Sequence, residues 1–158
     1  MNFDRTKIEV RRMKESDLDD ALRIAENLED APHWPRQFYA EVLAANPARQ
    51  RIALVAMGHQ DTGIVGFTVA GLVPPESELE TIAVAANAQR HGIGRQLLAA
   101  LAEELRRTSI AELRLEVRCS NLAARHFYET QNFKQTGVRK RYYADPQEDA
   151  VLMSLRLA

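Results

Sequence analysis

A single cysteine among 158 residues leaves no partner for an internal disulfide, and no second thiol makes Cys119 half of a redox pair. Placed just beyond an expected strand, that thiol is read as a packing residue. Long apolar runs are also missing. None reaches the roughly 18 residues that suggest a membrane span, and the opening MNFDRTKIEV lacks the apolar centre of a secretory leader. A soluble, cytoplasmic protein with no membrane partner is the expectation. Charge of one sign is absent too: 21 Lys and Arg offset 22 Asp and Glu, for a net charge of -1, so bulk charge draws the chain to no nucleic acid. The four histidines and the cysteine fall at no metal-ligand spacing, and no metal is expected. No repeat, low-complexity tract or Gly/Pro-rich linker divides the sequence, so one domain over 1–158 is expected.

What is present is a hydrophobic fraction of 46%, enough for one substantial core, and a clear succession of periodicities. Strands are predicted over 8–13, 51–57, 64–73, 78–84, 113–118, 133–139 and 150–157. The three in the middle read as an antiparallel meander. The apolar stripe Leu18, Leu22, Ala25 and Leu28 predicts a first helix, with Ser16 and Asp19 as its capping pair. After the break at APHWP a second helix runs through Phe38, Val42 and Ala45 to stop near Asn46-Pro47. Ile93, Leu97, Leu98, Leu101 and Leu105 recur at helical spacing, and a short helix is predicted over 121–130. The order is β-α-α-β-β-β-α-β-α-β-β.

The stretch QRHGIGRQLL places two glycines and several basic side chains at the start of the best-defined helix. A helix N-terminus offers unpaired N–H groups and a partial positive charge, so small residues there let an anion reach the backbone. Gly92 and Gly94 supply that access, and Arg90, Arg95 and His91 add side-chain donors. The stretch lacks the GK[ST] ending of a P-loop and the third glycine of a dinucleotide fold. A plain tight turn explains the same two glycines equally well.

The surroundings are more specific. TIAVAANAQRHGIGRQLLAAL resembles the acyl-CoA-binding motif of the GNAT superfamily of N-acetyltransferases. The likeness continues through LRLEVRCSNLAARHFYETQNF to RKRYYADPQEDAVLMSL, a series similar to the bacterial ribosomal-protein alanine N-acetyltransferases, and is sharp over 78–155. The resemblance implies an α/β (α+β) fold, with a mixed, mostly antiparallel sheet of about seven strands flanked by about four helices. It implies acetyl-CoA as cosubstrate, with its pyrophosphate on the backbone of Arg90, His91, Gly92, Ile93, Gly94 and Arg95. It also implies that Ile82, Ala83 and Val84 lie along the pantetheine arm beside a splay between their strand and 113–118, and that an N–H there faces the acetyl carbonyl.

Further roles come by the same resemblance. Glu116 matches the general base that neutralises the attacking amine, although the pattern alone also describes a solvated glutamate between Arg114 and Arg118. Tyr128 matches the general acid toward the coenzyme sulfur, or is a core residue of a short helix. Asn121 matches a residue that bonds the coenzyme arm, and also reads as a helix N-cap. Three places depart from the family, one of them a short segment between Tyr143 and Glu148. Asn132 stands where glycine is common, a position asparagine fills in a left-handed turn, and APHWP replaces Pro-Trp-Ser in a loop on the acceptor side. The implied acceptor is a protein N-terminus, the N-terminal alanine of a small-subunit ribosomal protein. A small amine or antibiotic is the alternative, and a non-catalytic acyl-CoA-binding module is a third reading. Glu76, Glu78 and Glu80 suit a basic peptide tail or an acidic edge strand kept for solubility.

Overall fold

The computed structural model describes residues 8–44, 46–48, 50–58 and 63–157. Seven strands form one sheet in the order β1-β2-β3-β4-β5-β7-β6. They are β1 (Glu9–Arg12), β2 (Arg51–Met57), β3 (Ile64–Val73), β4 (Glu76–Val84), β5 (Glu112–Arg118), β6 (Lys134–Tyr143) and β7 (Glu148–Arg156). Four helices, α1 (Leu18–Glu26), α2 (Arg36–Leu43), α3 (Ile93–Arg106) and α4 (Leu122–Thr130), complete the expected order. Ala45 and the GHQDTG turn between β2 and β3 fall wholly or partly outside the described residues. No helix among the described residues is long and apolar enough to cross a membrane.

Two apolar clusters cover the two faces of the sheet. The leucine stripe of α3 meets Leu113, Leu115 and Val117 of β5 on one face, joined by Phe127 and Tyr128 of α4. On the other, Leu18, Ala21 and Ala25 of α1 and Tyr39 and Val42 of α2 pack on Val55, Phe67, Val69 and Ala83. The alternation Leu-Arg-Leu-Glu-Val in β5 thereby buries its aliphatic residues under α3 and leaves Arg114 and Glu116 on the opposite face.

Three local expectations are corrected. Ser16 does not cap α1. Glu15–Asp17 forms a 3-10 turn ahead of the helix, and the Asp17 carboxylate accepts the Lys14 N–H at 2.7 Å. It also takes both guanidinium nitrogens of Arg11, at 2.8 and 2.9 Å, which makes burial of an aspartate at 5% exposure tolerable. The strand bearing Glu76, Glu78 and Glu80 is not an edge strand, since β4 pairs with β3 on one side and β5 on the other. Cys119 is exposed instead of packed, because β5 ends at Arg118 and the thiol falls in the turn beyond it.

Every strand pair among the described residues is antiparallel except β4 with β5. That ladder has three rungs, Glu76↔Glu112, Ser77↔Leu113 and Glu78↔Arg114, after which β4 and β5 run on without pairing. Its closed end is stitched by Ala111 N–H donating to the Pro75 carbonyl at 2.8 Å and by Ser77 Oγ donating to the Glu112 carbonyl at 2.9 Å. In β4 the register slips between Thr81 and Leu79, so Glu80 is an extra residue opposite β3. This bulge reverses the alternation: Leu79, Ile82 and Val84 associate with the α3 side, whereas Ala83 joins the α1/α2 side. Gly66, opposite Val84, permits the tight β3–β4 approach, since a Cβ there would lie 2.9 Å from the Ala83 carbonyl oxygen.

Candidate active site

Where β4 and β5 part, the far flank of β4 carries Ile82, Ala83 and Val84 with no strand on the β5 side. The chain then leaves β4 through a 3-10 turn at Ala86–Ala88, and Gln89 Nε2 donates back to the Val84 carbonyl at 3.0 Å. Arg90 (φ +66°) and Gly92 (φ +81°) both adopt left-handed conformations, and Gly92 is the N-cap of α3. Glycine takes that conformation without strain, and Gly92 accepts the first intrahelical bond, from the Gln96 N–H at 3.1 Å. The N–H groups of Ile93, Gly94 and Arg95 lie in the opening turn, where the helix has no acceptor for them. Arg90 and Arg95 are exposed beside them and His91 is half-buried. Gly94 has a second reason to be glycine: a Cβ would come within 3.3 Å of Phe127 Cζ on α4.

Glu116 stands on the β5 lip of the parting, with neither Arg114 nor Arg118 as its partner. Those two are engaged elsewhere, Arg114 with Glu76 and Arg118 with Glu148. Glu116 instead meets Arg139 of β6 at 3.2 Å and hydrogen-bonds the Tyr142 hydroxyl, which raises the phenol's pKa. Both partners depend on an irregularity in β6. Between Arg139↔Ala150 and Tyr143↔Glu148 the strand carries extra residues, with Arg141 at φ +54° and its N–H bonded to Asp149 Oδ1 at 2.9 Å. The guanidinium of Arg139 also lies 5.1 Å from the Tyr142 ring centre. Neither Arg139 nor Tyr142 is marked by the sequence as a site residue, and Glu78 is marked only as one of three acids suited to a basic tail. The RKRYY run is the available signal, but the bulge that aims it is set by pairing with β7.

A cavity of about 410 Å³ opens on this face, lined by Glu76, Glu78, Arg114, Glu116, Thr136 and Arg139 among others. Glu78 is solvent-exposed at the cavity wall, yet enough protein surrounds its carboxyl that its pKa is raised first by desolvation and then by the charges of Glu116 and Glu80.

Tyr128 is held from α4. Its ring lies 5.4 Å from Phe127 and 5.5 Å from Phe133, and burial pushes its phenol up to about 12. Burial raises the Tyr143 phenol, and the charge of Glu116 adds to that rise. Asn121 caps α4, accepting the Ala124 N–H at 3.1 Å, which leaves its amide nitrogen as the unspent donor end. At the other end Asn132 adopts φ +71°, the left-handed turn expected of it, and the Phe133 N–H returns to the Tyr128 carbonyl at 3.0 Å. In the loop before α2, Trp34 packs on Phe38 at 4.3 Å and on Tyr39 at 5.6 Å.

A splayed parallel pair with a glycine-led helix at its mouth is the arrangement that the sequence resemblance implies, and comparison with known proteins agrees. The chain belongs to the acetyltransferase (GNAT) family, matched over residues 16–133, and is an N-acetyltransferase. It is similar to the [ribosomal protein bS18]-alanine N-acetyltransferase of Escherichia coli K12, 40% identical over 101 residues, covering 63% of this chain and 68% of that one. A putative enzyme of the same description from Bacillus subtilis is 29% identical over 94% of this chain and 95% of its own. The crystal structure of the ribosomal-protein-S18-alanine N-acetyltransferase from Escherichia coli superposes with a TM-score of 0.78 at 31% identity, covering 96% and 94% of the two chains.

Proposed function

We propose that this protein transfers the acetyl group of acetyl-CoA to the α-amino group of a protein N-terminus, the N-terminal alanine of a small-subunit ribosomal protein. The observation that carries the chemistry is the parting of β4 from β5 immediately beyond Glu78/Arg114, with Glu116 on one wall of the cavity there. The acceptor is supported by the named activity of the relatives above, one of which aligns with nearly the whole chain.

In this reading the opening turn of α3 binds the coenzyme's pyrophosphate through the N–H groups of Gly92, Ile93, Gly94 and Arg95, aided by Arg90, Arg95 and His91. Ile82, Ala83 and Val84 lend backbone groups to the pantetheine arm and an N–H to the acetyl oxygen. The amide nitrogen of Asn121 bonds the arm while its oxygen caps α4. Glu116 takes a proton from the acceptor ammonium. The freed nitrogen then forms its bond to the carbonyl carbon as the C–S bond breaks, Tyr128 protonates the departing sulfur, and the second proton lost by the nitrogen as the amide forms returns through solvent to the Tyr128 phenolate. A phenol held near 12 stays protonated at neutral pH, as a proton donor must.

Whole ribosomes incubated with the protein and labelled acetyl-CoA are expected to carry label on one N-terminal alanine, read by mass spectrometry. Transfer only to polyamines or aminoglycosides would refute the acceptor. In the same assay Glu116→Gln and Tyr128→Phe are expected each to lower kcat by about a hundredfold or more while acetyl-CoA affinity holds. Unchanged rates would remove those residues from the mechanism.

A further inference from the structure

The cavity beside the strand parting holds more acid than the proton transfer uses. Three carboxylates, Glu76, Glu78 and Glu116, line it together with two arginines, Arg114 and Arg139. Both arginines are engaged: Arg114 with Glu76 at 2.8 Å and Glu112 at 3.4 Å, Arg139 with Glu116 at 3.2 Å. Among the described residues no ion pair takes up Glu78; the charges of Glu116 and Glu80 act against its ionisation, and that of Arg139 opposes them with a smaller effect.

Its position is set by the sheet. Glu78 is the last rung of the β4–β5 ladder, opposite Arg114, and Glu116 follows Arg114 by two residues on β5, hence on the same face. The two carboxylates therefore look into one cavity at the apex of the parting. The charge of Glu116 adds to the cost of a charge on Glu78. A cation entering between them would relieve that repulsion and give Glu78 the partner it lacks.

We propose that Glu78 is a substrate-binding residue, which with Glu116 forms a two-carboxylate receptor for the protonated amine of the acceptor. Glu116 then removes the proton, and Glu78 holds the amine at the apex. The proposal rests on the acyl-transfer reading given above and adds to it the group that selects a cationic acceptor. Arg139 keeps Glu116 aligned, so that the pair presents one committed acid and one open one.

The test is steady-state kinetics on the full chain at saturating acetyl-CoA, with a synthetic alanine-starting basic peptide as acceptor and the variants Glu78→Gln and Glu78→Asp. Loss of one charge-assisted contact is expected to raise the acceptor KM about tenfold or more in E78Q, with kcat changed less than about threefold and the acetyl-CoA KM unmoved. E78D, which keeps the charge, is expected to bring the acceptor KM back to within about threefold of wild type. Thermal unfolding of E78Q should occur at or above the wild-type midpoint, because one of two neighbouring like charges is removed. An acceptor KM within about twofold of wild type in E78Q would overturn the proposal, as would equal losses in E78Q and E78D or a fall confined to kcat. If wild type acetylates another amine but no alanyl peptide, the acceptor assignment fails alone and the same comparison on that amine decides Glu78. If it acetylates no amine, both fall.

Discussion

Tyr39 carries the least compensated polar group of the core. Its ring is fully buried between Trp34, Phe38 and Phe67, and among the described residues its hydroxyl finds no hydrogen-bond partner. Tyr39→Phe is therefore expected to raise stability by about 1 kcal/mol at neutral pH, measured by denaturant unfolding. Burial also lifts this phenol from 10.0 to about 12. Between those values the unfolded chain has released the proton that the folded chain retains, so folding loses stability as pH rises through that window. The advantage of the Tyr39→Phe variant over wild type should consequently widen above the phenol's ordinary value of 10.0. Tyr128, also near 12, keeps a part of the alkaline slope in both proteins.

At the scale of elements, the entry to α1 depends on Asp17, which joins the Lys14 backbone to the Arg11 side chain of β1. The Arg11 bond is the main reason its carboxyl lies below the usual range, with the Lys14 N–H also contributing. Its stabilising effect is thus present above the unfolded value of 3.8 and lost as pH falls through the lower folded value. Asp17→Asn is expected to cost about 2 kcal/mol at neutral pH, a difference that shrinks toward zero in strong acid. Sequence periodicity located the elements that bury one face, the α3 stripe and the β5 alternation among them. Asp17 escapes a sequence reading because Ser16 satisfies the local capping pattern as well, and the choice depends on a guanidinium from the neighbouring strand. The slip at Glu80 is illegible for a similar reason. Ser77 to Thr81 reads as unbroken alternation, and only the pairing with β3 shows which residue is extra. Glu116 and Tyr128 become candidates through family motifs, whereas Glu78, Arg139 and Tyr142 come together through the apex of one ladder and the bulge of another.

The whole molecule is a sheet with helices on both faces, and in the proposed reading a ligand seated at the parting bridges β4, β5, α3 and α4. Such a ligand stabilises all of them by mass action. Acetyl-CoA at about a hundred times its Kd is expected to add about 2.7 kcal/mol to unfolding, seen as a rise in Tm. Arg90→Ala combined with Arg95→Ala should reduce that rise at equal ligand concentration without lowering the Tm of the unliganded protein, because both side chains are exposed. The outer margin of the sheet is guarded differently. β6 bears Lys134, Lys140 and Arg141 and breaks register twice, which discourages a neighbouring chain from adding a strand. Beyond Glu78, however, β4 keeps peptide groups in the interior of the sheet that β5 does not pair. Hydrogen-bonding capacity of this kind invites another strand at a margin, whereas in the proposed reading its place at the centre of the sheet reserves it for a slender ligand that carries amides of its own.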